Sequence, residues 1–140
     1  MDSDGRRLMM LYESMTKKPN VSKVVIVNDN KILLMQKNGT LKWELPGGHA
    51  EHKESGKKTA CREVKEETGI TLDKKFLTVI DNDDSKDSNV TWYLYNRPVK
   101  PKVKLSKEHV NYKWVGKAKL DKYSLSAATN HMVIISSYNQ

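Results

Sequence analysis

The strongest constraint on this chain is the stretch from Ser55 to Thr68, which has no glycine after Gly56 and meets Gly69 where a helix C-terminus wants its cap. A helix makes neighbours of residues i, i+3 and i+4, so at roughly 100° per residue Glu63, Glu66 and Glu67 share one face. Ala60, Cys61, Val64 and Thr68 lie on another, which lets the helix bury one side and keep the carboxylates on the other. Like charges at this spacing repel by roughly a few tenths of a kcal/mol per exposed pair, and a cation reverses that sign. Taken alone, such a face reads as solvated, with Lys58 and Lys65 as ion partners. As a ligand set it is all oxygen, which suits Mg²⁺ or Mn²⁺ and does not imply zinc.

Apolar periodicity places the other elements around this helix. Leu8, Leu11, Tyr12 and Met15 recur at helical spacing before Pro19, predicting a helical extension over 1–20 ahead of a single domain over 21–140. Val21 to Val27 and Lys31 to Gln36 read as a hairpin turned at Asn28, Asp29 and Asn30. Leu41 to Leu45 is a brief extended piece, stopped by a loop at Pro46, Gly47 and Gly48. Ile70 to Ile80 reads as a strand, Asp81 to Ser88 as a polar turn, and Val90 to Tyr95 as the strand that completes a second hairpin. A basic connection over Pro98 to Lys107 leads to a strand at Val110 to Val115, and Leu125 to Tyr138 reads as a closing helix. Trp43 is read as core rather than a base-stacking platform, and His52 and His109 as loop residues.

Charge and cysteine content narrow the partners. The net charge of +8 comes mainly from lysine, with arginine only at Arg6, Arg7, Arg62 and Arg97. That balance attracts phosphates and gives little support for bidentate reading of bases. Cys61 is the single cysteine, which excludes an internal disulfide and a thiolate metal cluster and fits a reducing, cytoplasmic setting. Its place beside Ala60 and Val64 favours packing over a nucleophilic role. The N-terminal residues do not form a signal peptide, and no window is long enough for a membrane span.

From Gly48 to Ile70 the chain reads GHAEHKESGKKTACREVKEETGI, with five residues between Gly48 and Glu54 and seven between Glu54 and Arg62. This spacing resembles the Nudix signature at every constrained position, and Trp43 to Gly48 resembles the segment that leads into it. The resemblance implies an α/β/α sandwich with a central mixed β-sheet from about Val21 onward. It also implies metal-dependent cleavage of the pyrophosphate bond in a nucleoside diphosphate linked to a moiety X. By position, Glu66 and Glu67 would bind metal, Glu63 would bind metal or act as base, and the Gly48 carbonyl would be a further ligand, with Gly47 giving close backbone approach. Arg62 would orient Glu63, and Glu54 would support Arg62 as charge partner or outer ligand. Glu108, six residues before Trp114, is a candidate extra ligand or base.

Substrate features are fewer. Pro46-Gly47-Gly48 and the distance of Tyr93 from the motif disfavour a dinucleoside polyphosphate, and the Asn82 to Lys86 stretch lacks the proline common in ADP-ribose hydrolases. A nucleoside triphosphate remains the default. The alternatives are RNA 5′-end hydrolysis, with the lysines from Lys100 to Lys107 on the transcript, and a non-catalytic nucleotide- or RNA-binding protein. The N-terminal extension could be a homodimer contact, a lid or simple packing.

Overall fold

The computed structural model describes residues 5–8, 18–126 and 129. Strands β1 (Asn20–Asn28) and β2 (Lys31–Lys37) form the expected hairpin, with Val27 opposite Ile32. Asp29 and Asn30 both take positive φ, 52° and 59°, and Asn and Asp tolerate that region better than other side chains.

Val24, Val25 and Ile26 are wholly buried because β1 is central. It pairs antiparallel with β4 (Gly47–His49) on one side and parallel with β6 (Asn89–Tyr95) on the other. Next to β6, and antiparallel to it, runs β5 (Leu77–Asp84). Strand β2 in turn pairs with β3 (Trp43–Glu44) and β7 (His109–Gly116), completing one mixed sheet.

Helix α1 (Gly56–Thr68) covers one face of this sheet, where Ala60 and Val64 pack with Val24, Ile26, Leu33, Tyr93 and Tyr95. The opposite face collects Val25, Ile32, Leu34, Leu45, Trp92, Leu94, Val115 and Leu120. Fully burying one aliphatic side chain of this size stabilises by roughly 1.5–3 kcal/mol, so the two clusters fix α1 against the sheet far more firmly than helix propensity could. Trp43 belongs to the second cluster and meets Tyr123 edge-on at 5.2 Å between ring centroids, the core role read from sequence.

Three of the expected secondary-structure elements differ in the structure. The strand expected from Ile70 begins only at Leu77, after a 3-10 turn at Lys74–Phe76 in which the Asp73 side chain accepts from the Lys75 amide. Ile70 and Leu72 are apolar because they plug the helix-side cluster, not because they pair. The same strand then runs through Asp81, Asn82, Asp83 and Asp84, which the sequence assigned to the turn. These residues pair only with β6 at the sheet edge and are exposed, where charge is tolerated. Finally, Gly47 and Gly48, read as loop, form a strand with His49 against β1.

The N-terminal helix expected from Leu8 to Lys18 lies outside the described residues except at 5–8, which are helical, and at 18. The closing helix expected over Leu125 to Tyr138 lies outside them except at 125, 126 and 129. Among the described residues, no helix is long and apolar enough to cross a membrane.

Candidate active site

Helix α1 starts where the Ser55 hydroxyl accepts the Lys58 amide at 3.2 Å and ends where the Gly69 amide returns to the Lys65 carbonyl at 3.0 Å. Between these caps, Arg62 is the hub of a charged network. Its Nε and Nη2 grip the two oxygens of Glu54 at 2.8 and 2.9 Å, and Nη2 also donates to the His49 carbonyl at 3.0 Å. Nη1 holds Glu63 at 2.9 Å and approaches Glu66 only at 3.4 Å.

Glu54 further accepts the Thr59 hydroxyl at 2.7 Å and the Glu51 amide at 3.0 Å, so the 51–54 turn is tied down onto the helix. The Arg62 hydrogen bonds, against a smaller cost of burial, hold the Glu54 carboxyl down at about 2. The same contacts raise Arg62 further, so it stays cationic at any working pH.

The acidic face divides by depth. Glu66 is exposed on the rim, with 57% of its side chain open to solvent, whereas Glu67 is almost completely buried. Burial pushes the Glu67 carboxyl up to about 7, opposed by the Gly47 amide, which donates to its Oε1 at 2.7 Å, and by Lys23 and His109. Glu63 lies between the two in depth. Burial raises its carboxyl, Arg62 opposes the rise, and the neighbouring Glu66 and Glu108 reinforce it.

Glycine is required at both positions of β4 that touch this face. At Gly47, φ is +143° and a Cβ would fall 2.0 Å from the Ser22 carbonyl oxygen. At Gly48, a Cβ would lie 2.6 Å from Glu63 Cδ, so the bare backbone is what admits the carboxylate. Gly48→Ala should therefore displace Glu63 and cut turnover by about 10²-fold, the scale of a 1 Å misplacement, with a smaller fall in melting temperature than Arg62→Lys because Arg62 keeps both contacts with Glu54. Wild-type kcat in that variant would show that the present position of Glu63 does not matter.

A cleft of about 500 Å³ gathers Gly47, Gly48, Glu63, Glu67 and Glu108, which are far apart in sequence. Lys23 and Lys37 also line it, bringing positive charge suited to phosphate oxygens. Glu54 and Arg62 stand behind this wall as its supports. The crowded oxygens, whose carboxyls are raised by burial and by one another, suit a hard divalent cation, and the glycine backbone leaves room beside Glu63.

The structure adds two residues that sequence reasoning missed, Glu44 and His109. His109 is not a loop residue: it opens β7, is 5% exposed, and its Nε2 lies 2.8 Å from Glu44 Oε1 and 3.7 Å from Glu67 Oε2. Burial pushes the Glu44 carboxyl up, but the His109 hydrogen bond together with Lys23 outweighs it and leaves the group below its ordinary value. An acid inside the otherwise apolar Trp43-Glu44-Leu45 was the available signal for Glu44. His52 is exposed in a turn, as read from sequence.

The family model of the NUDIX domain matches residues 16–133. The bis(5′-nucleosyl)-tetraphosphatase [asymmetrical] of Sus scrofa is 37% identical over 94 residues, which cover 61% of this chain. The chain spans 63% of the length of that relative. Among solved structures, the MutT NUDIX hydrolase of Burkholderia pseudomallei superposes with a TM-score of 0.71 at 24% identity, covering 89% of this chain and 98% of its own. The MutT protein of Methanosarcina mazei Go1 gives 0.63 at 29% identity, covering 88% and 95%. The mixed sheet with its flanking helices is the fold of these structures, the α/β/α sandwich expected from sequence.

Proposed function

This chain belongs to the Nudix family, and from that premise we propose that it hydrolyses the pyrophosphate bond of a nucleoside diphosphate linked to a moiety X, using Mg²⁺ or Mn²⁺. The observation that carries this reading is the convergence of Gly48, Glu63, Glu67 and Glu108 on one cleft, with Arg62 and Glu54 bracing Glu63 from behind.

Glu63, Glu66, Glu67 and the Gly48 carbonyl would hold the metal, Glu66 from the rim. When bound, the metal neutralises charge on the phosphates and orients them. Water is the nucleophile: its oxygen forms the new bond to phosphorus as the bridging P–O bond breaks, and the bridging oxygen leaves with the second phosphate. Glu63 or Glu108 takes the proton of that water, since both carboxylates line the cleft. Arg62 fixes the Glu63 carboxylate through its 2.9 Å contact while Glu54 anchors the guanidinium at 2.8 Å, and Lys37 attracts the polyphosphate. The products are a nucleoside monophosphate and phosphate-X, or pyrophosphate when the substrate is a triphosphate.

A nucleoside triphosphate is the default substrate. The similarity to the Sus scrofa enzyme, named as a bis(5′-nucleosyl)-tetraphosphatase, supports a second reading, a dinucleoside tetraphosphate, despite the Pro46-Gly47-Gly48 departure noted above. Nucleoside triphosphates, dinucleoside tetraphosphate, ADP-ribose, NADH and triphosphorylated RNA, each incubated with Mg²⁺ or Mn²⁺ and resolved by product, decide between them. Release of pyrophosphate from a triphosphate supports the default. Unequal cleavage to a nucleoside triphosphate and a monophosphate supports the second reading. Turnover on RNA that falls steeply with salt points to transcript ends, and nucleotide binding without cleavage points to a non-catalytic protein.

Because the proposed ligands are all oxygens, EDTA should abolish turnover and excess Mg²⁺ or Mn²⁺ restore it. Undiminished rates in chelator would overturn the metal assignment.

A further inference from the structure

Behind the carboxylates of α1 lies a buried polar cluster built from four strands. Lys37 of β2 pairs with His109 of β7, and the next pair is Gln36 with Asn111, so Val110 is an extra residue on β7 and the register shifts there. Such a bulge re-aims side chains. Val110 is 56% exposed, while the His109 side chain is turned inward and 1% exposed. A hydrophobic residue sent to solvent and a histidine sent to the interior are the two results of one irregularity.

Inside, the ring makes a directed contact. Its Nε2 lies 2.8 Å from Glu44 Oε1 and 3.7 Å from Glu67 Oε2. The Glu44 carboxylate, held below its ordinary value, only accepts, so the nitrogen 2.8 Å from it, Nε2, carries the proton. Its other nitrogen, Nδ1, is buried and has no hydrogen-bond partner among the described residues, so Nε2 alone connects the ring to the cluster. Glu44 is set in turn by Lys23, whose Nζ stands 3.8 Å from Glu44 Oε2 and donates to the Leu45 carbonyl at 3.3 Å. On the far side, Glu67 Oε1 accepts the Gly47 amide at 2.7 Å. The Glu67 carboxylate is thus flanked by a β4 amide on one oxygen and by His109 on the other.

We propose that His109 is a positioning residue: its Nε2–H is held by Glu44 of β3, and the ring edge so fixed stands against Glu67 Oε2 and sets the direction in which Glu67 of α1 presents its carboxylate to the cleft. This rests on the reading of Glu67 as a metal ligand. The bulge at Val110 is the device that delivers the ring. His109 is not among the residues that line the cleft, so its effect on the site passes through Glu67.

The two amide replacements of histidine separate this role from simple packing. In His109→Gln the amide nitrogen reaches the place of Nε2, whereas in His109→Asn it reaches only that of Nδ1. Mn²⁺ affinity, read from the paramagnetic resonance of free Mn²⁺, is to be measured beside kcat, KM and melting temperature. The expected result is Mn²⁺ affinity and kcat about 10-fold lower in His109→Asn with KM little changed, and both within about 3-fold of wild type in His109→Gln, on the scale known for groups that orient metal ligands. Equal values in the two variants, or wild-type Mn²⁺ affinity in both, would overturn the proposal. If neither variant folds, Glu44→Gln, which leaves the imidazole in place but weakens its anchor, should show the same loss of Mn²⁺ affinity, and unchanged affinity there overturns it equally. Wild-type protein that binds Mn²⁺ yet cleaves no nucleotide would sink the hydrolase reading while leaving the comparison of Mn²⁺ affinities to decide the role of His109.

Discussion

Glu67→Gln is expected to lose at least ~10²-fold in turnover while melting no lower than the wild type in the absence of metal. The second half of this expectation follows from burial. Glu67 is 3% exposed, and its ionised form is disfavoured enough that the carboxyl rises to about 7. A group raised in the folded state contributes stability below its unfolded value, near 4.5, and that contribution is lost as pH climbs through about 7. In metal-free protein the ionised carboxylate is therefore a burden above neutrality, and glutamine removes it. The amide oxygen can still accept the Gly47 amide, so the contact between β4 and α1 survives. Catalysis has no such substitute, because a neutral amide binds a hard dication far less well than a carboxylate. Melting in EDTA from pH 5 to pH 8, alongside kcat with Mg²⁺, separates the two readings. A lowered melting temperature with wild-type rates would make Glu67 a structural residue and remove it from the metal site.

How much of this was readable in the sequence depended on how local the information was. Helix α1, its Gly69 cap and the shared face of Glu63, Glu66 and Glu67 follow from a 3.6-residue period and need nothing beyond the segment itself. The β1–β2 hairpin is equally local, since Asp29 and Asn30 favour the turn. The period did not tell that the three carboxylates sit at different depths, with Glu66 on the rim and Glu67 sealed beneath β4, because depth is set by what packs on the helix rather than by the helix. Ile70 and Leu72 misled for a related reason: alternating apolar residues mark burial, and burial in a connecting segment looks the same as burial in a strand. Glu44 and His109 were hidden more deeply. They are 65 positions apart, and their meeting depends on β2 pairing with both β3 and β7 and on a single extra residue in β7. A one-residue bulge leaves no compositional trace, yet it decides which of His109 and Val110 faces the interior.

Arg62→Lys is expected to cost both turnover and stability, which distinguishes it from every substitution in the acidic face. The guanidinium uses three nitrogens at once: Nε and Nη2 on Glu54, Nη2 again on the His49 carbonyl, and Nη1 on Glu63. Lysine offers one ammonium on a flexible stem and can keep one or two of these contacts at a time. Retaining Glu54, the strongest partner, would release Glu63, whereas retaining Glu63 would leave the Glu54 carboxylate with only Thr59 and Glu51 as donors. Hydrogen bonds to charged groups contribute roughly 1.5–3 kcal/mol each, so the loss of one or two should lower the melting temperature by several degrees. Turnover should fall by at least ~10-fold through the freed Glu63, while Mn²⁺ affinity changes less because Glu67 keeps its contacts with Gly47 and His109. Acid should expose the same dependence: Glu54 is held at about 2, so its contribution is complete above pH 4.5 and disappears as pH falls toward 2, a slope that Arg62→Lys should flatten. Unchanged kcat with a lowered melting temperature would confine Arg62 to tying the 49–54 segment onto α1 and take from it any part in placing Glu63.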